Sequence, residues 1–212
     1  MSKRRVRIKM CGMTRTEDIA MAATLGIDAI GLIFYAGSSR CISVENAKLL
    51  LQHKPLFMDI VAVMVNPTEE QVNQIITELP VQWLQFHGDE SPEFCAGFNK
   101  PYIKAMSATS AEYITQMMQL HTHASAFLLD TPSPAGRGGS GEVFDWNIIP
   151  SRPNAPLVLA GGLNAKNVKR AISETNVNAV DVCSGIEQSP GIKNHDKMTQ
   201  FVNALRGNEY EQ

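Results

Sequence analysis

The sequence predicts an α/β fold, a single-domain (β/α)8 barrel over residues 1–212. Three observations predict it. Eight apolar, β-branched runs recur along the chain. Seven of the eight are followed by a segment with helical periodicity. The repeat is about 26 residues, short for a closed parallel barrel but within its range. Strands that alternate with helices pair in parallel, because parallel neighbours need a crossover. A doubly wound open sheet is the alternative, but no G-x-G-x-x-G follows the first run.

The first run is VRIKMCG, residues 6–12. Thr14 or Thr16 is expected to cap the next helix, with Glu17 and Asp18 in its first turn and Gly26 after its end. AIGLIFY, residues 29–35, is the second run, and Ser43 opens the helix that Pro55 closes. DIVAVMVN, residues 59–66, is the third. Pro67-Thr68 starts a helix that sets Ile75, Ile76 and Leu79 on one face. WLQFHG, residues 83–88, precedes a short helix begun by Ser91-Pro92-Glu93. YIKAM, residues 102–106, is followed by SAEYITQMMQL. AFLLDT, residues 126–131, leads into a glycine-rich loop and the short FDWNIIP segment rather than a full helix. LVLAGG, residues 157–162, precedes NAKNVKRAISET. AVDVCSG, residues 179–185, is the eighth run, and a last helix is expected over 194–205. One barrel uses the whole length, which leaves nothing over for a fused partner domain.

Composition narrows the function. Hydrophobic residues make up 44% and charged residues 19%, enough apolar material for one sizeable core. The formal net charge is −2, so there is no global basic field for nucleic acid or an anionic membrane surface. An anionic ligand must be held by a local device. No apolar run reaches the roughly 18 residues of a membrane span, and the basic MSKRRVRIKM opening lacks the apolar stretch of a secretion signal. Cys11, Cys41, Cys95 and Cys183 form no CxxC pair, which argues against a zinc site and a disulfide framework and for a reducing cytoplasm.

Both candidate folds bind ligands at the C-terminal ends of their strands. The residues there are Cys11, Arg40, Asn66, His87, Met106, Asp130, Gly161-Gly162 and Ser184-Gly185. Cys11 reads either as a small buried hydrophobe or as a thiolate at the barrel mouth. Asp130 reads as a turn former or as a general acid leaving an apolar strand. Arg40 is a surface charge or a fork for a carboxylate. Gly161-Gly162 and Ser184-Gly185 end strands seven and eight, where this fold often builds a phosphate site from backbone N–H groups. His87 reads as a hydrogen-bonded structural residue or a catalytic one. The loop SPAGRGGSG, residues 133–141, is a connector or a cover over the site, and it does not match a Walker A pattern. His53, His121, His123 and His195 read as helix or surface residues. Cys41, Cys95 and Cys183 have no acid or base partner in sequence and are expected to be inert.

KMCGMT resembles the K-[IM]-C-G-[ILMFYW]-T opening of the phosphoribosylanthranilate isomerase family. GLIFYAGSSR is similar to that family's G-F-x-F-x-x-x-S-x-R. VAVMVN, WLQFHGDE, LLDT with its glycine-rich loop and FDW, LAGGLNAKNV and VDVCSGIEQSPGIKNHDKM follow in the same order along nearly the whole chain. The resemblance implies a cytoplasmic isomerase of tryptophan biosynthesis, in its monofunctional form. Its reaction is the Amadori rearrangement of N-(5-phosphoribosyl)anthranilate to 1-(o-carboxyphenylamino)-1-deoxyribulose 5-phosphate. It implies Cys11 as base, Asp130 as acid, Arg40 and Asp181 as substrate contacts, and Gly161, Gly162, Ser184 and Gly185 around the phosphate. It also implies no metal or organic cofactor, and one small phosphorylated partner bound by a monomer or homodimer. Two departures stand out. Ser38-Ser39-Arg40 lacks the family's proline, and Cys183 stands where serine is usual.

The chemistry suits these residues. An acid that protonates the ring oxygen opens the aminoaldose to a Schiff base, which acidifies the C2 proton for removal by a base. The base is expected to need local help in ionising, with Lys9 and the bound substrate as the candidates. Rival readings are the aminoaldose isomerase of histidine biosynthesis, which uses two aspartates, and a non-catalytic barrel that binds a phosphorylated ligand. A metal-dependent ribulose-phosphate epimerase would want several His and Asp ligands at strand ends.

Overall fold

The computed structural model describes residues 5–52, 54–132, 143–151 and 153–207. The expected cover loop, residues 133–141, and His53 lie outside the described residues. Eight parallel strands close into a barrel: β1 (Arg7–Cys11), β2 (Ala29–Ile33), β3 (Asp59–Met64), β4 (Trp83–Phe86), β5 (Tyr102–Ser107), β6 (Ala126–Asp130), β7 (Leu157–Leu159) and β8 (Ala179–Val182). β8 pairs back onto β1, with Arg7 opposite Ala179 and Met10 opposite Val182. The sequence prediction of the barrel therefore holds.

The helices between the strands are α1 (Thr16–Thr24), α2 (Val44–Leu50), α3 (Glu69–Glu78), α4 (Pro92–Ala96), α5 (Ala111–Leu120) and α6 (Val168–Glu174), with α7 (His195–Arg206) closing the ring. After β6 there is only a 3-10 turn, Trp146–Ile148, among the described residues. Ser43, Thr68, Ser91, Ser110 and Asn194 cap their helices through side-chain acceptance of a backbone N–H, and Thr68 forms a capping box with Gln71. α1 differs from expectation. Arg15 is at its cap position without a side-chain capping bond, and the Thr14 hydroxyl donates to the Gly191 carbonyl instead. Gly26 follows α1 in the left-handed conformation, as expected.

Side chains alternate across each strand. One parity meets the helices: Met10, Leu32, Ile60, Leu84, Phe86 and Leu129 join the outer core. Met106 belongs to this set, so it faces the helices and not the mouth; Ser107 is the last residue of β5. The other parity fills the barrel, where Cys11, Val61, Val63, Ala105, Leu128 and Ala160 pack together. Because Cys11 and Asp130 share this inward parity, both approach the mouth from inside.

One element was not expected. After β8 a second 3-10 turn, Ser184–Ile186, leads into a two-stranded hairpin, β9 (Glu187–Ser189) and β10 (Ile192–Lys193). Gly191 turns it with φ 81°. The hairpin carries Glu187 and Lys193, both buried, back over the first strand.

Candidate active site

A cavity of about 320 Å³ opens at the C-terminal ends of the strands. Cys11, Arg40, Asp130, Gly161, Gly162, Asp181 and Ser184 line it, with His87 and Cys183. Seven of the eight expected site residues thus share one cavity. Gly185 is the exception. It sits against the Leu163 carbonyl, which an added Cβ would overlap, so its smallness serves close packing of the last two loops.

Cys11 lies among cations. Lys9, two residues earlier on the same inward face, places its Nζ 2.8 Å from Asp181 Oδ2. Lys193 Nζ donates to the Cys11 carbonyl at 2.6 Å and to Glu187 Oε1 at 2.9 Å, and lies 3.8 Å from Cys183 Sγ. A hydrogen bond from the Cys183 thiol pulls the Cys11 pKa well below the ordinary thiol value. Burial opposes this, and Lys9 and Lys193 assist it. The same bond, with burial, pushes Cys183 up. Cys183 thus has Glu187 and Lys193 within 3.9 Å, partners its sequence neighbours did not show. Burial raises the Cys95 thiol to about 12, while Cys41 is exposed.

Burial works against the Lys9 charge, but Asp181 and Cys11 outweigh it, and Lys9 stays protonated. Burial raises the Asp181 carboxyl to about 7, against the pull of Lys9. Its Oδ1 is buried without a hydrogen-bond partner, on a residue that lines the cavity. Gly31 on β2 makes room for this cluster. A Cβ there would meet Cys11 Sγ at 2.7 Å and Lys9 Nζ at 3.1 Å. Gly31→Ala is expected to destabilise the fold by about 1–3 kcal/mol, as overpacking does. A urea midpoint that does not move would show that the thiol and ammonium have other room.

Arg40 forks onto a carboxylate, as its geometry allowed, but here the carboxylate is that of Glu187, at 2.8 and 2.6 Å. Burial would raise Glu187. The Arg40 bonds and Lys193 outweigh it and hold Glu187 below its ordinary value.

Asp130 ends β6 across the mouth. Its Oδ1 accepts the Thr131 N–H at 2.8 Å, and its Oδ2 lies 3.4 Å from His87 Nε2. The other His87 ring nitrogen is 3.3 Å from the Gln85 amide nitrogen. Beside Asp130, Gly161 and Gly162 are consecutive left-handed residues, φ 79° and 63°. A side chain at Gly161 would overlap Thr131. Among the described residues no acceptor takes the N–H groups of Gly161, Gly162 or Leu163. The Gly162 carbonyl is fixed by the Asn164 and Asn167 amides at 3.1 and 2.9 Å. Successive unpaired N–H groups in such a turn form an anion-binding concavity.

Lys193 and Glu187 were missed in the sequence because the hairpin that brings them had no periodicity to announce it. The strand parity alone pairs Lys9 with Cys11.

A parallel barrel whose mouth gathers an acidified thiol, a carboxyl and a glycine cradle for an oxyanion is built as a sugar-phosphate isomerase. Residues 8–204 match the family described as N-(5'phosphoribosyl)anthranilate (PRA) isomerase. The chain belongs to this family. It is 56% identical over 207 residues to the N-(5'-phosphoribosyl)anthranilate isomerase of Legionella pneumophila (strain Lens), covering 98% of this chain and 100% of that protein. It is 44% identical to that of Stutzerimonas stutzeri (strain A1501), over 95% of this chain and 97% of that protein. The crystal structure of phosphoribosyl anthranilate isomerase from Thermotoga maritima superposes with a TM-score of 0.84 at 33% identity, covering 95% and 99% of the two chains. A second such structure, in complex with reduced 1-(o-carboxyphenylamino)-1-deoxyribulose 5-phosphate, gives a TM-score of 0.81 at 32% identity, over 95% and 99%.

Proposed function

We propose that this chain catalyses the Amadori rearrangement of N-(5'-phosphoribosyl)anthranilate to 1-(o-carboxyphenylamino)-1-deoxyribulose 5-phosphate, the isomerisation of tryptophan biosynthesis, with Asp130 as acid and Cys11 as base. The observation that carries the assignment is that the acidified thiol and the carboxyl line one cavity beside the glycine cradle. Asp130 gives its proton to the ring oxygen, and the furanose opens to the Schiff base. The Cys11 thiolate then removes the C2 proton, and the enolamine tautomerises to the ketose. The substrate nitrogen is the electron sink, so one acid and one base suffice.

The phosphate is held by the N–H groups of Gly161 and Gly162, with Ser184 facing them and Gly185 keeping the loops close. Asp181 Oδ1 takes a substrate hydroxyl or amine hydrogen. Arg40 meets the anthranilate carboxylate by sharing its guanidinium with Glu187. His87 holds the orientation of Asp130. The partner is one small phosphorylated molecule, bound by a monomer or homodimer. No helix among the described residues is long and apolar enough to cross a membrane. A thiolate base needs its reduced form, which suits a cytoplasmic setting.

The deciding experiment is turnover of phosphoribosylanthranilate made in situ, followed by loss of anthranilate fluorescence. Consumption that survives a chelator is expected. Binding without consumption would overturn the assignment.

The pH profile gives a second check. A base with a depressed pKa is ionised above that value and is lost only as pH falls through it. The acid limb of kcat/KM is therefore expected well below the free-thiol value of about 8.5. A rate that climbs through the free-thiol range would show that Cys183, Lys9 and Lys193 do not acidify the base.

A further inference from the structure

We propose that Cys11 and Cys183 form a dithiol at the barrel mouth that a hydroperoxide closes to a disulfide, making the site a reversible point of modification. The inference goes beyond the isomerisation. It starts from Cys183, which neighbours the proposed base but transfers no proton in the isomerisation.

The geometry comes from the β1–β8 seam. The β1–β8 register ends with Met10 opposite Val182; Cys11 and Cys183 are the next residues of the two segments, and both pack in the inner cluster. Neighbouring strands lie about 4.8 Å apart, inside the roughly 4.4–6.8 Å Cα separation of disulfides. Lys193 Nζ holds the Cys11 carbonyl at 2.6 Å and lies 3.8 Å from Cys183 Sγ, so one ammonium spans both residues. Both cysteines line the 320 Å³ cavity, which admits a small peroxide.

The chemistry then follows in two balanced steps. The Cys11 thiolate, with Lys9 and Lys193 beside it, attacks the terminal oxygen of the hydroperoxide. The O–O bond breaks, an alkoxide or hydroxide leaves, and Cys11 becomes a sulfenic acid. Cys183 Sγ attacks that sulfur. Its proton passes to Glu187, whose Oε1 lies 3.9 Å from Cys183 Sγ, and on to the departing hydroxide, which leaves as water. The S–S bond forms. The two sulfurs together lose two electrons, and the hydroperoxide gains them. The other two thiols do not compete. Cys95 is buried and raised to about 12, and Cys41 is exposed and does not line the cavity.

The test uses the full chain, hydrogen peroxide and intact-mass measurement. After treatment the protein is expected to lose the mass of two hydrogens, and a non-reduced digest to give one cross-linked pair holding Cys11 and Cys183. Turnover is expected to fall in step and to return with dithiothreitol. In Cys183→Ser the cross-link is expected to vanish and Cys11 to gain one, then more, oxygen atoms. In Cys41→Ser/Cys95→Ser the Cys11–Cys183 link is expected to persist. Oxygen addition at Cys11 without a cross-link in the natural chain would overturn the proposal, as would a link to a different cysteine. The readout is mass, so it stands apart from whether Cys11 is the catalytic base.

Discussion

Replacing Cys11 with serine is expected to lower kcat by about 10²–10⁴-fold, the range that a positioned acid or base contributes. The substitution is nearly isosteric and leaves Lys9, Lys193 and Asp181 in place. A serine hydroxyl is not ionised near neutral pH, so the cations beside it have no thiolate to stabilise. The loss belongs to the proton-transfer step, so kcat and kcat/KM are expected to fall together while KM stays near its starting value. Steady-state kinetics with a far-UV spectrum to verify the fold make the measurement. Near-natural turnover in Cys11→Ser would remove Cys11 from the mechanism.

Asp130→Asn is expected to lose a similar factor of about 10²–10⁴ in kcat. The asparagine carbonyl still accepts the Thr131 N–H, so the strand end keeps its shape, but the side chain has no acidic proton to give. Ring opening is then the slow step. A substrate analogue whose ring is already open would bypass it, so Asp130→Asn should turn that analogue over with a much smaller deficit than the cyclic substrate. An equal deficit on both would assign Asp130 to binding rather than to protonation. The double variant is expected to be little worse than the more damaged single one, because acid and base act in one sequence on one substrate.

Much of the fold was legible because the signals are local. The alternation of β-branched runs with capped helices gave all eight strands, and Ser43, Thr68, Ser91, Ser110 and Asn194 are caps by residue type and position. Errors arose where tertiary contacts override local preference. Thr14 is a good cap, yet its hydroxyl goes to Gly191, far along the chain. LVLAGG was read as strand to its end, but two left-handed glycines leave the ladder after Leu159. Cys11 and Asp130 were legible as strand-end residues. Lys193, Glu187 and the role of Cys183 were not, because their contacts depend on a hairpin of Glu187–Ser189 and Ile192–Lys193 folding over the first strand.

That hairpin also sets a time at which the thiol becomes reactive. Lys193 reaches the Cys11 carbonyl across 182 positions of sequence. Cys11 is made first and its activating ammonium nearly last. During synthesis the emerging chain carries the cysteine without Lys193 and without the Cys183 thiol that donates to it. The thiol we propose as the base therefore stays an ordinary, mostly protonated one until β8 and the hairpin dock, and its acidity arrives with barrel closure.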